Sequence, residues 1–248
     1  MEYLTVEEVA KSLKIHMNTV YKMCRQGTIP AIKMGKEWRV DRHEFIKLMK
    51  GKSDPVEAEI SSEFIKRTFK KGHLLGVFPD KKSVLEFEIA YFLAASKEKY
   101  RFFKACWWQH PDDIRHSFAE GGLPVETMEA DGSLIIESLS EEFEKHGAVG
   151  AAATWLKATT GALEKGYKGL VGAGSPGFDC CGEYSDLLGF ENSLGKMLKD
   201  QPVMGVCSYV MDMKLSGALS KLLDLIKLHD RFFIYSNGKS VIAEVSEN

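Results

Sequence analysis

At 248 residues, with 44% hydrophobic and 27% charged side chains, the chain has an ordinary globular composition and is long enough for more than one core. No apolar run approaches the roughly 20 residues of a membrane helix. The opening MEYLTVEEVA is too acidic and polar for a secretion signal, and five unevenly spaced cysteines make no disulfide framework, so a cytoplasmic protein is expected. The net charge of −2 hides an asymmetry: residues 1–72 hold 15 Lys and Arg against 10 Asp and Glu, whereas residues 73–248 hold 18 against 25. A basic module on a larger acidic one is the balance of a DNA-binding head on a body that does not bind DNA.

Residues 1–50 read as one small domain. Thr5-Val6-Glu7-Glu8 is a capping box, in which the Thr5 hydroxyl accepts from the Glu8 amide and the Glu8 carboxylate reaches back to Thr5. It starts a helix whose Val6, Val9, Ala10 and Leu13 form an apolar stripe. Lys14-Ile15-His16 is then a tight turn, with Ile15 expected to point inward. A second helix follows over 17–27, with Val20, Met23 and Cys24 on one face and Gly27 as its stop. Ile32, Met34, Trp38 and Val40 surround Gly35-Lys36 and predict a two-stranded hairpin. A third helix over 42–49 would close the core through Phe45, Ile46 and Met49. Val20, Ile29, Trp38 and Val40 are assigned to that core.

Helix, short turn, helix and hairpin make the winged helix-turn-helix order. Asn18 and Thr19, short and at the start of the second helix, are the candidates for reading base edges. Lys22, Arg25, Lys33, Lys36 and Arg39 are the candidates for phosphate contact, and Tyr21 is divided between the DNA face and the core. Tyr3-Leu4-Thr5-Val6-Glu7-Glu8-Val9-Ala10, Asn18-Thr19-Val20-Tyr21, Gly27-Thr28-Ile29-Pro30-Ala31 and Lys36-Glu37-Trp38-Arg39-Val40 together resemble the excisionase-like, MerR-related winged helix-turn-helix family. The resemblance implies major-groove binding by the second helix and backbone contact by the wing. At His16-Met17 the chain departs from the family's usual small capping residue followed by a basic one.

Residues 51–72 read as a linker. Gly51-Lys52-Ser53-Asp54-Pro55 breaks the pattern, and Val56, Ile60 and Phe64, with Ile65 and Phe69 alongside, then recur at helical spacing. This helix carries more apolar surface than a spacer needs, for packing on the second domain or on a second copy in a homodimer.

Residues 73–248 alternate between strand and helix patterns. Strands are predicted over 73–78, 101–107, 133–137, 169–173 and 203–209, with a terminal hairpin over 232–235 and 240–243. Helices are predicted over 83–95, 111–120, 148–165 (Ala151, Trp155 and Leu163 inward), 184–198 and 217–228. The fold class is therefore α/β, a mainly parallel sheet covered on both faces by helices. Such sheets bind ligands at the carboxyl ends of their strands. Residues 73–78, Trp107, 172–176 and 207–209 are accordingly expected to converge on one face of the sheet.

Gly172-Ala173-Gly174-Ser175-Pro176-Gly177 matches G-x-G-x-x-G after a strand, with Glu191 about 20 residues on, but Pro176 and Cys180-Cys181-Gly182 leave little room for the helix a dinucleotide site requires. As a Walker loop the stretch offers Phe178-Asp179 where Lys-Ser/Thr should be, and Lys82-Ser83 lacks glycines that would present backbone amides. A degenerate nucleotide-binding enzyme, ATPase or oxidoreductase, with a DNA-binding appendage is thus the alternative and not the preferred reading. Cys180, Cys181 and Cys207, with His73 or His110, are the residues for a soft metal or redox site. The reading adopted is that Cys106 and Cys207 are small core residues and the adjacent pair is incidental. No metal and no cofactor are assigned.

His73 opening the first strand and Phe78 closing it, Trp107 ending the second, Leu188-Gly189-Phe190-Glu191-Asn192-Ser193-Leu194 and Val203-Met204-Gly205-Val206-Cys207-Ser208-Tyr209 together resemble the methanogen/methylotroph sensory domain, MEDS. That family is known from regulators of dichloromethane and methyl-compound metabolism and is distantly related to RecA/KaiC-like ATPases. The resemblance implies small-molecule sensing in a RecA/KaiC-like sheet, without catalysis. His73, Phe78, Trp107, Gly174, Ser175, Glu191, Cys207 and Tyr209 are the candidate ligand residues. The expected protein is a one-component transcription regulator that binds double-stranded DNA, responds to a small-molecule effector and works as a homodimer.

Overall fold

A computed structural model describes residues 3–13, 15–42, 45, 60–179, 181–236 and 238–245. The chain divides into two units, Met1–Glu57 and Ala58–Asn248. The first is built from β1 (Tyr3–Thr5), α1 (Val6–Leu13), α2 (Met17–Arg25), β2 (Ala31–Met34) and β3 (Glu37–Asp41), with β3 central in an antiparallel sheet of order β1-β3-β2. The capping box forms: the Thr5 amide and hydroxyl donate to Glu8 Oε2 at 2.7 and 2.9 Å, and the Glu8 amide donates to Thr5 Oγ1 at 3.2 Å. His16 does the missing small residue's work, its Nδ1 accepting from the Asn18 amide at 3.2 Å as the N-cap of α2.

Val6, Val9, Ala10, Val20, Cys24, Ile29, Val40 and Phe45 form the core of this unit, with Leu4, Leu13, Met23, Ala31 and Trp38 packed around it. Gly27, at φ +67°, and Gly35, at φ +65°, sit where α2 stops and where the hairpin turns, both in left-handed backbone that a side chain would strain. Ile15 corrects the expectation of an inward turn residue: it is 36% exposed, because residues of α1 and α2 already fill the space between the helices. Ile32 and Met34 are exposed on the outer side of the hairpin. Of the expected third helix, Phe45 is buried; Ile46 and Met49 lie outside the described residues.

The second unit begins with α3 (Ser62–Thr68) and continues as β4 (Gly72–Phe78), α4 (Lys81–Ala95), β5 (Arg101–Cys106), α5 (Pro111–Glu120), α6 (Val125–Ala130), β6 (Leu134–Ser138) and α7 (Leu139–Glu164). It closes with β7 (Leu170–Gly174), α8 (Tyr184–Leu198), β8 (Val203–Val210), α9 (Ala218–Ile226), β9 (Arg231–Ser236) and β10 (Lys239–Glu244). The seven strands order as β10-β9-β4-β8-β7-β5-β6, all parallel except the edge strand β10. Strands such as His73-Leu74-Leu75-Gly76-Val77-Phe78 are buried along their whole length, as a sheet covered on both faces demands.

One face carries α3 to α6 over Leu74, Phe78, Phe102, Cys106 and Phe233; the other carries α7 to α9 over Leu75, Val77, Phe103, Cys207 and Tyr209. Two helices match their sequence reading to the residue, α5, which Pro111 opens at a tolerated first position, and α8. The six-residue α6 had no sequence counterpart. α7 starts nine residues before its predicted 148 and is interrupted at Gly147, φ 66°, so the apolar periodicity reports only its later part. Leu163 is 44% exposed and Ala162 takes the inward place beside Ala151 and Trp155.

The linker residues 51–59 lie outside the described residues. Downstream of them, Phe64 and Ile65 of α3 are buried in the second unit, Phe64 edge-on to Phe233 at 5.2 Å, while Phe69 stacks on Tyr91 at 4.7 Å. This apolar stripe is covered by its own chain.

Candidate functional site

In the first unit α2 buries Val20 and Cys24 and turns Asn18, Thr19, Tyr21, Lys22 and Arg25 outward, all exposed. Lys33 and Lys36 are exposed on the hairpin. Arg39 differs: its guanidinium is paired with Glu37 and donates to the Trp38 carbonyl at 3.1 Å, which offsets its charge locally. The outward face of α2 therefore combines short polar groups at its start with two cations in its last turn.

The second unit holds a buried polar cluster on the α7–α9 face. His73 comes from β4, Cys207 from β8, Glu191 from α8, and His229 from the segment after α9. Their ligand-capable atoms all lie within 4.8 Å of one another. His73 Nε2 is 3.1 Å from Glu191 Oε2 and 3.3 Å from Cys207 Sγ, and His229 Nε2 is 3.5 Å from Glu191 Oε2. The two imidazoles lie 4.0 Å apart between centroids. His73, Glu191, Cys207 and His229 are at most 4% exposed.

Neighbours hold these groups in place. His229 Nδ1 donates to the Leu225 carbonyl at 2.7 Å, and the Tyr209 hydroxyl donates to Glu191 Oε1. The His73 amide donates to Asp230 Oδ2 at 2.6 Å while the Asp230 amide donates to the His73 carbonyl at 2.9 Å, which locks the two backbone segments that carry the histidines. Burial pushes the His229 imidazole down to about 4, so it is neutral at ordinary pH. Burial pushes the Glu191 carboxyl up, but the two imidazoles and the Tyr209 hydroxyl outweigh it and hold it below the usual carboxylate range. Glu191 Oε2 and His229 Nε2 are buried and make no hydrogen bond.

A second buried polar cluster lies on the opposite face. Lys104 of β5 donates to Glu88 Oε1 of α4 at 2.8 Å and to Ser175 Oγ at 2.9 Å, and the Ser175 hydroxyl donates to Glu88. All three residues are fully buried. Burial raises the neighbouring Cys106 thiol to about 11, which leaves it protonated and unreactive.

The expected convergence of strand ends on one face is corrected by strand geometry. Alternate residues of a strand face opposite sides, so His73 and Phe78 part: Phe78 packs against Phe87 and Phe233 under α4. His73 also sits at the amino end of β4, not its carboxyl end. His73, Glu191, Cys207 and Tyr209 are brought together; Trp107 and Gly174 form a separate group near Trp155 and Phe190, and Ser175 belongs to the Lys104 pair. Cys181 is buried but is not among the clustered ligand atoms, and Cys180 lies outside the described residues.

The first two glycines of the G-x-G-x-x-G spacing have a packing cause. A Cβ on Gly172 would lie 2.3 Å from the Trp155 ring, and one on Gly174 or Gly205 would lie 3.3 Å from it. These glycines make room for a tryptophan, and the next helix begins only at Tyr184. Sequence reasoning missed His229, Lys104 and Glu88; a buried-strand lysine in an otherwise apolar run was the one visible signal among them.

Compared with protein-family models, the chain matches a helix-turn-helix domain over residues 3–53 and the methanogen/methylotroph, DcmR sensory domain, MEDS, over residues 72–230. No curated protein matches it. No helix among the described residues is long and apolar enough to cross a membrane.

Proposed function

The chain belongs to the MEDS family of sensory domains, and on that premise we propose that it is a one-component transcription regulator. The helix-turn-helix head holds double-stranded DNA, and a small-molecule effector acting on the second unit changes that hold. One observation carries the reading: a single chain joins this sensory domain to a head whose α2 turns Asn18, Thr19, Lys22 and Arg25 to solvent. Base edges are read from the start of α2, and Lys22, Arg25, Lys33 and Lys36 meet phosphates.

The sheet is of the RecA/KaiC-like kind put to sensing instead of hydrolysis, in a cytoplasmic protein that is not an enzyme. Its effector site lies at the carboxyl ends of β5 and β7, beside Trp107, Gly174 and Ser175. The supporting geometry is that β5 leads to α5 on one face and β7 to α8 on the other, the topological switch at which such sheets hold ligands. Trp108, 36% exposed, flanks it with Lys81 Nζ 4.3 Å over its ring. A homodimer completes the reading, since one head of this size makes few contacts and two-fold operators take two.

The test is a salt-dependent binding titration of the full chain on promoter DNA from its own operon. Arg25→Ala and Lys36→Ala are expected to weaken binding to every duplex and to lower the salt slope by about 1 each. Unchanged binding in both variants would show that the head is misassigned.

A further inference from the structure

We propose that His73, Glu191, Cys207 and His229 hold one divalent cation of the zinc type. The site is independent of the regulator reading, which needs no metal. Four side chains, from β4, α8, β8 and the segment after α9, place one nitrogen, oxygen or sulfur each within 4.8 Å of one another. Bonds of about 2.0 to 2.3 Å from a tetrahedral zinc put its ligand atoms roughly 3.3 to 3.7 Å apart. Three of the six separations in the cluster, 3.1, 3.3 and 3.5 Å, are close to those edges, and the others are within 4.8 Å.

The donor set is chemically matched to such an ion. Two imidazoles and a thiolate are borderline-to-soft ligands, and with a single carboxylate they make a set suited to zinc and poorly suited to magnesium or calcium, which take mostly oxygen. A thiolate and a carboxylate carry two negative charges, so a divalent cation makes the buried group neutral, the condition under which charge is tolerated in a dry interior. Two of the atoms that would face the ion are left over by their surroundings. His229 uses Nδ1 on the Leu225 carbonyl and has Nε2 without a hydrogen bond; Glu191 uses Oε1 on the Tyr209 hydroxyl and has Oε2 without one. A carbonyl behind a ligating histidine and a hydroxyl behind a ligating carboxylate are the supports that orient metal ligands.

Four protein ligands and near-complete burial describe a closed site, which holds an ion for structure and leaves no position for a substrate. The ion would tie β4 and β8 to α8 and to the start of β9.

The test is cobalt substitution in the full chain after removal of metal by chelator. Cobalt(II) alone is the probe. One cobalt per chain is expected, with a thiolate-to-cobalt charge-transfer band in the near ultraviolet and the intense visible bands of tetrahedral cobalt, both displaced by zinc. Cys207→Ser should abolish the charge-transfer band. Tyr209→Phe should keep it while weakening affinity roughly 10- to 100-fold. His229→Gln, which retains the thiol, should keep a weaker band and lose tight binding, so the assignment does not hang on one variant folding. Absence of the band in the wild-type chain, or a band undiminished in Cys207→Ser, would overturn the site. DNA binding enters none of these readouts, so a failure here is distinct from a failure of the regulator reading.

Discussion

The sheet of the second unit buries a carboxylate on each face, and the two are neutralised in different ways. On the α4 side Glu88 meets the ammonium of Lys104 at 2.8 Å, with Ser175 bridging both. On the α8 side Glu191 lies with two imidazoles and a thiol and accepts from the Tyr209 hydroxyl, and among the described residues its ion-pair partners are the two histidines. One cluster carries its cation on a side chain, whereas the other is arranged as a cation's ligands. A buried ionised pair needs its charge balanced and its hydrogen bonds made; the first cluster balances its charge from within the chain and leaves Glu88 Oε2 without a hydrogen bond. The second would balance its charge with the proposed ion.

The largest expected effect breaks the self-sufficient cluster. Lys104→Met leaves Glu88 buried without its cation and should cost about 3 to 5 kcal/mol, the usual result of removing one partner of a buried pair. Lys104→Met combined with Glu88→Leu should recover most of that, because an apolar pair of similar volume needs no solvation. Denaturant midpoints at an unchanged slope measure both. A cost near zero for Lys104→Met would mean that the contrast between the faces is not one of charge.

The next effect separates the clusters by their response to metal. Zinc at 100 times its dissociation constant should stabilise the wild-type chain by about 2.7 kcal/mol through mass action on the folded state. Glu191→Gln should lose that response, and Lys104→Met should keep it despite its lower starting stability. Thermal melts with and without zinc after chelator treatment provide the measurement. A zinc response equal in Glu191→Gln and wild type would place the ion elsewhere.

Much of this architecture is legible in the sequence because it depends on local rules. The capping box at Thr5, the proline opening α5 and the apolar strand runs each state their element without reference to distant residues. What escaped lacks a local period: α6 is too short to display one, and the polar residues before Gly147 hide the first part of α7. The cluster escaped for a different reason. His73, Glu191, Cys207 and Tyr209 could each be singled out, but only the strand order β9-β4-β8 brings β4 beside both β8 and the segment carrying His229. Strand alternation is the local clue, since His73 and Phe78 stand an odd number of residues apart on one strand and so face opposite sides of the sheet. The glycine motif misled in the other direction: its spacing is real, and the cause of its first two glycines is the bulk of Trp155.

The smallest effect sharpens the comparison through the two hydroxyls. Ser175 donates to Glu88 and Tyr209 donates to Glu191, so each buried carboxylate accepts one hydroxyl hydrogen bond. Ser175→Ala should cost about 1 kcal/mol, an ordinary net hydrogen bond, because Lys104 remains to neutralise Glu88. Tyr209→Phe in the metal-free chain should cost about 1.5 to 3 kcal/mol, the range for a bond to a charged group that has no cation beside it. Zinc should narrow that difference, since the ion then takes over the stabilisation of Glu191 that the hydroxyl had supplied. Chemical denaturation of both variants, with and without zinc, gives the four values. Equal costs in the metal-free chain would show that the imidazoles already neutralise Glu191 as well as Lys104 neutralises Glu88, and the contrast between the two faces would be lost.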